Sequence, residues 1–234
     1  MSALKACLLL PTLLALPGCA VGRSGRLALL APGVRNGARA PQSIGGGWLA
    51  LCQTGNTQWT LQPTSVRSRR VHDDQLDQPG ERSGREFRPA KEGALCLLRH
   101  GSLRAGRVVA AEFKTARPSA VNLLNSMGFG VPVLFSIDTY TLRAKDLENN
   151  PSRYALSVSV NAGQPQILGE FERGIEPAFE SVVLVWAGDL NQDGVADFIF
   201  EHRSFNQTGQ SLYLSRKNGG GYQQAGLDLW TGNE

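Results

Sequence analysis

Two neighbouring stretches decide the fold class: residues 154–160 read YALSVSV, and residues 166–171 read QILGEF. In the first stretch apolar and polar side chains largely alternate, which is the period of a strand with one buried face. The turn-forming residues Asn161-Ala162-Gly163 begin the short connection between the stretches. The pair therefore predicts an antiparallel β-hairpin.

The same short pattern, rich in β-branched or aromatic residues, recurs along the chain. It is found at residues 48–52, 58–61, 182–186, 197–200 and 211–215. Helical patterns are confined to residues 118–127 and 142–147, and the polar residues 73–92 are predicted to be a long exposed loop. The sequence thus predicts a mainly β, antiparallel, sandwich-like single domain with few short helices over residues 48–234.

The composition excludes several classes of protein. The 234 residues include 24 Lys and Arg, 20 Asp and Glu, 41% hydrophobic residues and 7% aromatic residues. This apolar fraction is too high, and the charge too low, for a mainly disordered chain. Because aromatic residues are few and the net charge of +4 is thinly spread, we expect no nucleic-acid partner. Basic residues are unevenly distributed, with 12 basic and 7 acidic residues at 67–117 but 7 and 13 at 118–234.

Residues 1–18 have the pattern of an export signal. Lys5 is followed by an apolar run over residues 6–16 and then by small residues. The run is shorter than the roughly 20 apolar residues of a membrane-spanning helix. The sequence therefore predicts export, and a plain cleaved signal is one form that this could take.

Leu16-Pro17-Gly18-Cys19 resembles the lipobox of bacterial lipoproteins, in which the chain is cut before the Cys and acyl chains are attached to it. The resemblance implies a lipidated Cys19 and a membrane partner, because several acyl chains on one residue give stable anchoring. Ala20, rather than Asp, then implies an outer-membrane lipoprotein that faces the periplasm.

Residues 19–47 are predicted to be a flexible tether, because Gly, Pro and Arg are frequent and no period is apparent. The tether contains four arginines and no acidic residue: Arg23, Arg26, Arg35 and Arg39. They could touch anionic lipid headgroups, although a solvated linker is the simpler expectation.

Cys52 and Cys96 remain after Cys7 and Cys19 are assigned to the export segment. An even pair in an exported chain favours a disulfide, and each cysteine lies in an apolar, strand-like run. Two buried free thiols are the alternative.

An acidic loop is the strongest chemical feature of the sequence. Residues 188–197 read GDLNQDGVAD, so that oxygen-bearing side chains recur at every second position with Gly194 at the sixth. This spacing suits Ca²⁺, which takes six to eight oxygen ligands. The predicted ligands are Asp189, Asn191, Asp193, the backbone carbonyl of Val195, and Asp197.

This loop resembles the D-x-[DN]-x-D-G-x-x-D calcium loops of EF-hands, dockerins and FG-GAP or VCBS-type repeats. The predicted flanking strands are closest to the FG-GAP type, and only one good copy is present. The resemblance implies a structural calcium ion as cofactor. The alternative is an Asp/Asn/Gly-rich turn whose side chains bind their own backbone.

We find no catalytic motif and assign no catalytic residue. The expected function is therefore non-catalytic: a lipid-anchored cell-envelope protein of binding or structural type, with an envelope protein or glycan as a partner to be identified. The alternative is a hydrolase of glycan or peptidoglycan that uses calcium structurally. Its carboxylates would come from Glu170, Glu172, Glu176 and Glu180.

Overall fold

Almost all regular structure in the described part of the protein is β-strand. The structure is a computed structural model and describes residues 28–35, 44–55, 57–73, 77–113, 122–125, 130–173, 180–204, 207–216 and 220–230. The strands are β1 Ala28–Leu30, β2 Gly33–Arg35, β3 Trp48–Thr54, β4 Gln58–Thr64, β5 Val66–Val71, β6 Gly84–Pro89, β7 Ala94–Arg99, β8 Gly106–Ala110, β9 Glu112–Phe113, β10 Val131–Phe135, β11 Asp138–Leu147, β12 Asn150–Val160, β13 Gln166–Glu172, β14 Ser181–Asp189, β15 Asp197–Ser204, β16 Gln207–Ser215 and β17 Tyr222–Trp230. Within these ranges the helical structure is one 3₁₀ turn, Leu123–Asn125.

The strands form three antiparallel sheets. The largest has the order β1-β7-β3-β4-β8-β14-β15-β16-β17, the second has the order β13-β12-β11-β10-β9, and the third has the order β2-β6-β5. The hairpin predicted from residues 154–171 is β12–β13, in which Tyr154 pairs with Phe171. The prediction of a mainly β, antiparallel single domain is confirmed.

The nine-stranded sheet curls until its two edges meet, which makes the domain resemble a nearly closed barrel. Its edge strands β1 and β17 contact each other. Asp228 of β17 joins the edges, because it accepts a hydrogen bond from the backbone N–H of Ala31 at 2.9 Å and pairs with the guanidinium of Arg35. One carboxylate therefore holds the start of the fold to its last strand.

Three apolar clusters fill the spaces between and within the sheets. The five-stranded sheet packs on β14–β16, and its cluster includes Leu142, Leu156, Leu184, Phe198 and Phe200. The inside of the curled sheet is filled by a cluster that includes Leu51, Leu61, Cys96, Trp186 and Ile199. The three-stranded sheet covers a smaller cluster that includes Trp48, Ala50, Cys52, Phe87 and Leu97.

The folded domain begins earlier than the predicted boundary at residue 48. Strands β1 and β2 belong to the sheets, so residues 28–35 are part of the fold rather than of a flexible tether. Arg35 is only 2% exposed and is paired with Asp228, whereas the sequence prediction left it as a solvated linker residue. The whole predicted signal and most of the predicted tether, residues 1–27 and 36–43, lie outside the described residues.

Two other local predictions are wrong. Residues 142–147, expected to be helical, belong to β11, because their backbone pairs with β12 from Arg143 opposite Ser157 to Asp146 opposite Tyr154. The predicted loop at residues 73–92 contains β6, which is held in place by the fully buried side chain of Phe87. Of the predicted helix at residues 118–127, only residues 122–125 are described.

Candidate functional site

The predicted calcium loop lies at the tip of the β14–β15 hairpin. Gly188 pairs with Asp197 at the end of the ladder, and residues 190–196 make the connection between the strands. Asp189 therefore ends one strand and Asp197 begins the next, while Asn191, Asp193 and Val195 lie in the loop itself. This strand–loop–strand arrangement is the one that the sequence predicted.

The carboxylate of Asp189 organises the first half of the loop. Its Oδ1 accepts a hydrogen bond from the backbone N–H of Asp193 at 3.0 Å, and its Oδ2 accepts one from Gly194 at 2.9 Å. The chain can turn back toward Asp189 because Gln192 and Gly194 have φ angles of 60° and 86°, in the left-handed region. This explains the requirement for glycine at the sixth position.

Ser215, at the end of β16, brings the second half of the loop together. Its hydroxyl lies 2.8 Å from Asp193 Oδ2 and 2.9 Å from Asp197 Oδ1, and its backbone N–H donates to Asp197 Oδ1 at 2.7 Å. The amide of Asn191 donates to the carbonyl of Ser215 at 3.1 Å. Sequence reasoning missed Ser215, because it is 18 residues from Asp197 and only the pairing of β15 with β16 brings them together.

Asp197 is a fully buried carboxyl group. Burial raises its pKa to about 7, and the negative charge of Asp193 acts in the same direction, against the hydrogen bonds from Ser215 and Leu190. Nearby, the buried hydroxyl of Tyr222 has no hydrogen-bond partner among the described residues. Burial raises the pKa of Tyr222 as well, with smaller contributions from neighbours that include Asp193 and Asp197.

The residues of the loop fit calcium in chemical type. They offer carboxylate, amide and carbonyl oxygens, which are the ligands that Ca²⁺ prefers, and Tyr222 adds an unpartnered oxygen close by. As the loop stands, many of these oxygens bind backbone N–H groups instead. In the described part of the chain, no group of three or more His, Cys, Asp or Glu side chains is arranged to hold a metal ion.

A cavity of about 480 Å³ borders the loop. Asn191, Asp193 and Ser215 line one part of it, and two arginines, Arg104 and Arg216, line another. The cavity gives solutes access to the carboxylate of Asp193. Asp197 lies behind Ser215 and does not line the cavity.

A second cavity, of about 380 Å³, brings together three of the glutamates considered for hydrolysis: Glu170, Glu172 and Glu180. Two of them form ion pairs, since Glu180 is 3.1 Å from Arg173 and Glu170 is 3.1 Å from Arg153. Glu176, the fourth candidate, lies outside the described residues.

The two cysteines of the domain are free thiols, so the predicted disulfide is wrong in this structure. Cys96 pairs with Leu51, the residue before Cys52, and neighbouring side chains of a strand point to opposite faces. Cys96 consequently packs in the cluster inside the curled sheet, whereas Cys52 packs under the three-stranded sheet. Burial raises the pKa of both thiols.

The lipidation candidate, Cys19, lies outside the described residues. Within the described ranges, no helix has both the length and the apolar character that a membrane crossing requires.

Comparison of the chain with protein-family models, curated proteins and solved structures found no match.

Proposed function

We propose that this protein is a lipid-anchored cell-envelope protein of binding or structural type, whose β domain holds a structural Ca²⁺ in the loop at residues 189–197. One observation carries the calcium assignment. Asp193 and Asp197 both lie within 3 Å of the same Ser215 hydroxyl at the tip of a hairpin, and Asp197 is fully buried there. Two carboxylates held this close repel each other unless a proton or a cation intervenes.

A divalent cation would stabilise this arrangement more completely than a proton. The ligands would be Asp189, Asn191, Asp193, the carbonyl of Val195, and Asp197, with water completing the coordination. Magnesium is less suitable, because its strict octahedral geometry is rarely met by protein ligands alone. Three formal charges and no bidentate Glu predict a weak site, on the order of 10⁻⁴–10⁻³ M, as in extracellular modules.

Such an affinity agrees with a location outside the cytoplasm. The signal and the lipobox-like Leu16–Cys19 segment support attachment through Cys19, with the domain facing the periplasm from the outer membrane. Calcium would then act on stability, since it would link β14 to β15 and, through Ser215, to β16.

The calcium proposal predicts a metal-dependent gain in thermal stability. At 10 mM Ca²⁺ a site of this affinity should raise the melting temperature by roughly 3–10 °C. Asp193→Ala should abolish the rise, because it removes a ligand that faces the adjacent cavity. Differential scanning calorimetry with and without EGTA measures the shift.

The control for this experiment is Glu148→Ala, which removes one negative charge from an exposed side chain far from the loop in sequence. It should leave the calcium response intact. An unchanged melting temperature of the native protein in 10 mM Ca²⁺ would contradict the proposal, as would an equal response in the Asp193→Ala variant.

The second candidate function is hydrolysis of an envelope glycan or peptidoglycan in the 380 Å³ cavity. The convergence of Glu170, Glu172 and Glu180 favours it, and the ion pairs of Glu170 and Glu180 with arginines count against it. Zymography against peptidoglycan and polysaccharides separates the two functions. Turnover that is lost in Glu180→Gln would replace the non-catalytic proposal with a hydrolase.

A further inference from the structure

The β5–β6 hairpin carries a strongly basic surface that the calcium and anchor proposals do not use. Strands β5 and β6 read VRSRRV and GREFRP, so that they contain five arginines and one glutamate. Their register places Arg67 directly opposite Arg88, and Arg70 directly opposite Arg85. Like charges in directly opposed positions of an antiparallel pair destabilise it.

One face of this hairpin points to solvent. Phe87 is fully buried beneath the sheet, so its neighbours Glu86 and Arg88 point to the opposite side, together with their partners Arg69 and Arg67. The side chains of Arg69 and Arg88 are 65% and 67% exposed. We call Arg67, Arg69 and Arg88, which surround Glu86, the arginine face.

The positive charge of the arginine face is only partly neutralised by Glu86. Glu86 accepts a hydrogen bond from Arg69 at 2.5 Å and another from Arg88 at 2.6 Å, so two guanidinium groups share one carboxylate. Arg67 has no ion-pair partner among the described residues. The face therefore carries a net charge of about +2 within a few ångströms of the surface.

Protection of a sheet edge does not account for this pattern. Charged side chains on an edge strand discourage pairing with other chains, and this explains arginines on β5. It does not explain Arg88, because β6 is the central strand of its sheet. An anionic partner that lies flat across both strands would explain both.

The path of the chain points to an anionic bilayer as that partner. Eight residues, 20–27, lie between Cys19 and the start of β1, so the two are at most about 30 Å apart when this segment is extended. The next strand, β2, pairs directly with β6. A lipid on Cys19 would thus hold the arginine face close to the headgroup layer, and the effective concentration of headgroups at this face would be high.

We propose that the arginine face docks on anionic phospholipid headgroups and acts as the second membrane contact beside the acyl anchor. The proposal relies on the lipid anchor only to place the bilayer nearby. Guanidinium groups bind phosphate oxygens through paired N–H donors, and each cation close to an anionic surface strengthens binding by about fivefold.

The test uses the full chain with Cys19→Ser, which removes the covalent lipid, so its outcome does not depend on acylation. Vesicles of phosphatidylcholine alone or with phosphatidylglycerol are floated with the protein, and the ratio of the two partition coefficients is measured. R67Q/R69Q/R88Q should lower this ratio by about a hundredfold, which is about fivefold for each arginine removed. R107Q/K145Q/R203Q, which removes the same charge from exposed positions elsewhere, should change it by less than about twofold.

A misfolded hairpin could also lower binding to phosphatidylglycerol, so a second variant is chosen that is expected to increase binding. Glu86→Gln removes the only acid of the arginine face and should raise the ratio by about fivefold. The proposal would be overturned if the protein showed no preference for phosphatidylglycerol, or if both triple variants lowered the partition ratio equally. It would also be overturned if the protein bound polygalacturonate through the three arginines but did not bind phosphatidylglycerol. The proposal of a lipid anchor is tested separately, because if it were wrong the chain with Cys19 in place would fail to incorporate labelled palmitate.

Discussion

At the scale of single residues, His202 is a titratable group whose side chain is buried in the core. Its Nδ1 lies 3.1 Å from the Tyr154 hydroxyl and its Nε2 lies 2.7 Å from the Ser211 hydroxyl. The ring of Phe171 packs against it with centroids 4.6 Å apart. Burial among these groups lowers the pKa of His202 to about 4, so the imidazole is neutral at physiological pH.

The protein should therefore lose stability when the solution becomes acidic. An unfolded His binds a proton below about pH 6.5, whereas the folded His202 resists protonation until about pH 4. His202 therefore leaves the free energy of unfolding unchanged above pH 6.5. As the pH falls from 6.5 toward 4, it lowers the free energy of unfolding by up to about 3 kcal/mol.

Urea unfolding at pH 7 and pH 4.5 measures this loss. His202→Gln should show a smaller decrease in stability between the two pH values than the native protein, because Gln cannot be protonated. His100→Gln changes a His that hydrogen-bonds Ser102 near the surface and serves as the control. Identical pH dependence in all three proteins would contradict the assignment.

Residue types in the sequence were enough to predict the loop and to name its candidate ligands, because the spacing of Asp189 to Asp197 is local. The sequence did not identify Ser215 or Tyr222, which approach the loop only through strand pairing and packing. The cysteine prediction failed for a related reason. An even pair of cysteines in strand-like runs of an exported chain favoured a disulfide, whereas the register of β3 against β7 places the two side chains on opposite faces.

At the scale of elements, the end of β14 is held by a close approach of backbones. Gly188 pairs with Ala110 of β8 on one side and with Asp197 of β15 on the other. A Cβ atom at Gly188 would come within 2.4 Å of the carbonyl oxygen of Val109 and 2.7 Å of the Trp186 ring. The hairpin that carries the loop can thus join β8 only with glycine at this position.

Gly188→Ala should destabilise the fold by about 1–3 kcal/mol, since the added methyl group has to displace backbone. The midpoint of urea unfolding measures the effect. Gly46→Ala is the matched control, because a Cβ at Gly46 meets nothing within 4 Å. Equal midpoints for the two variants would show that β8 and β14 can separate without loss.

Strands with clear alternation were predictable as elements, and β12, β14 and β16 are examples. The failures lie where long-range pairing overrides local preference. Residues 142–147 contain helix-forming types, yet β12 pairs with them throughout, and burial alternates over residues 140–144. Strand β6 was missed because its charged sequence contains one large buried side chain, Phe87.

At the scale of the whole molecule, the charge distribution along the chain has a structural counterpart. The basic excess at residues 67–117 includes the arginine face, whereas the acidic excess at residues 118–234 includes the loop at residues 189–197. Sequence alone showed this asymmetry. It could not show which arginines share a face, because that depends on the register of β5 with β6.

The anchor proposal predicts how the protein distributes between cell fractions. The native chain should remain with membranes after a wash in 1 M NaCl, because attached acyl chains are insensitive to salt. Cys19→Ser should be released by the same wash, since only electrostatic contacts would remain and salt screens them. Immunoblotting of the washed membranes checks this, and retention of Cys19→Ser would count against the lipid.

The link between Asp228 and residues 31–35 also determines how the domain would respond to a mechanical load. A force applied to the chain ahead of Ala28 acts first on β1, an edge strand of three residues whose ladder partner among the described strands is β7. The next resistance is the Asp228 carboxylate, through Ala31 and Arg35. Under force, β1 and β2 would therefore detach first, where residues 31–35 contact Asp228. The hairpin that carries the acidic loop would stay intact, because β14 and β15 are interior strands of the nine-stranded sheet.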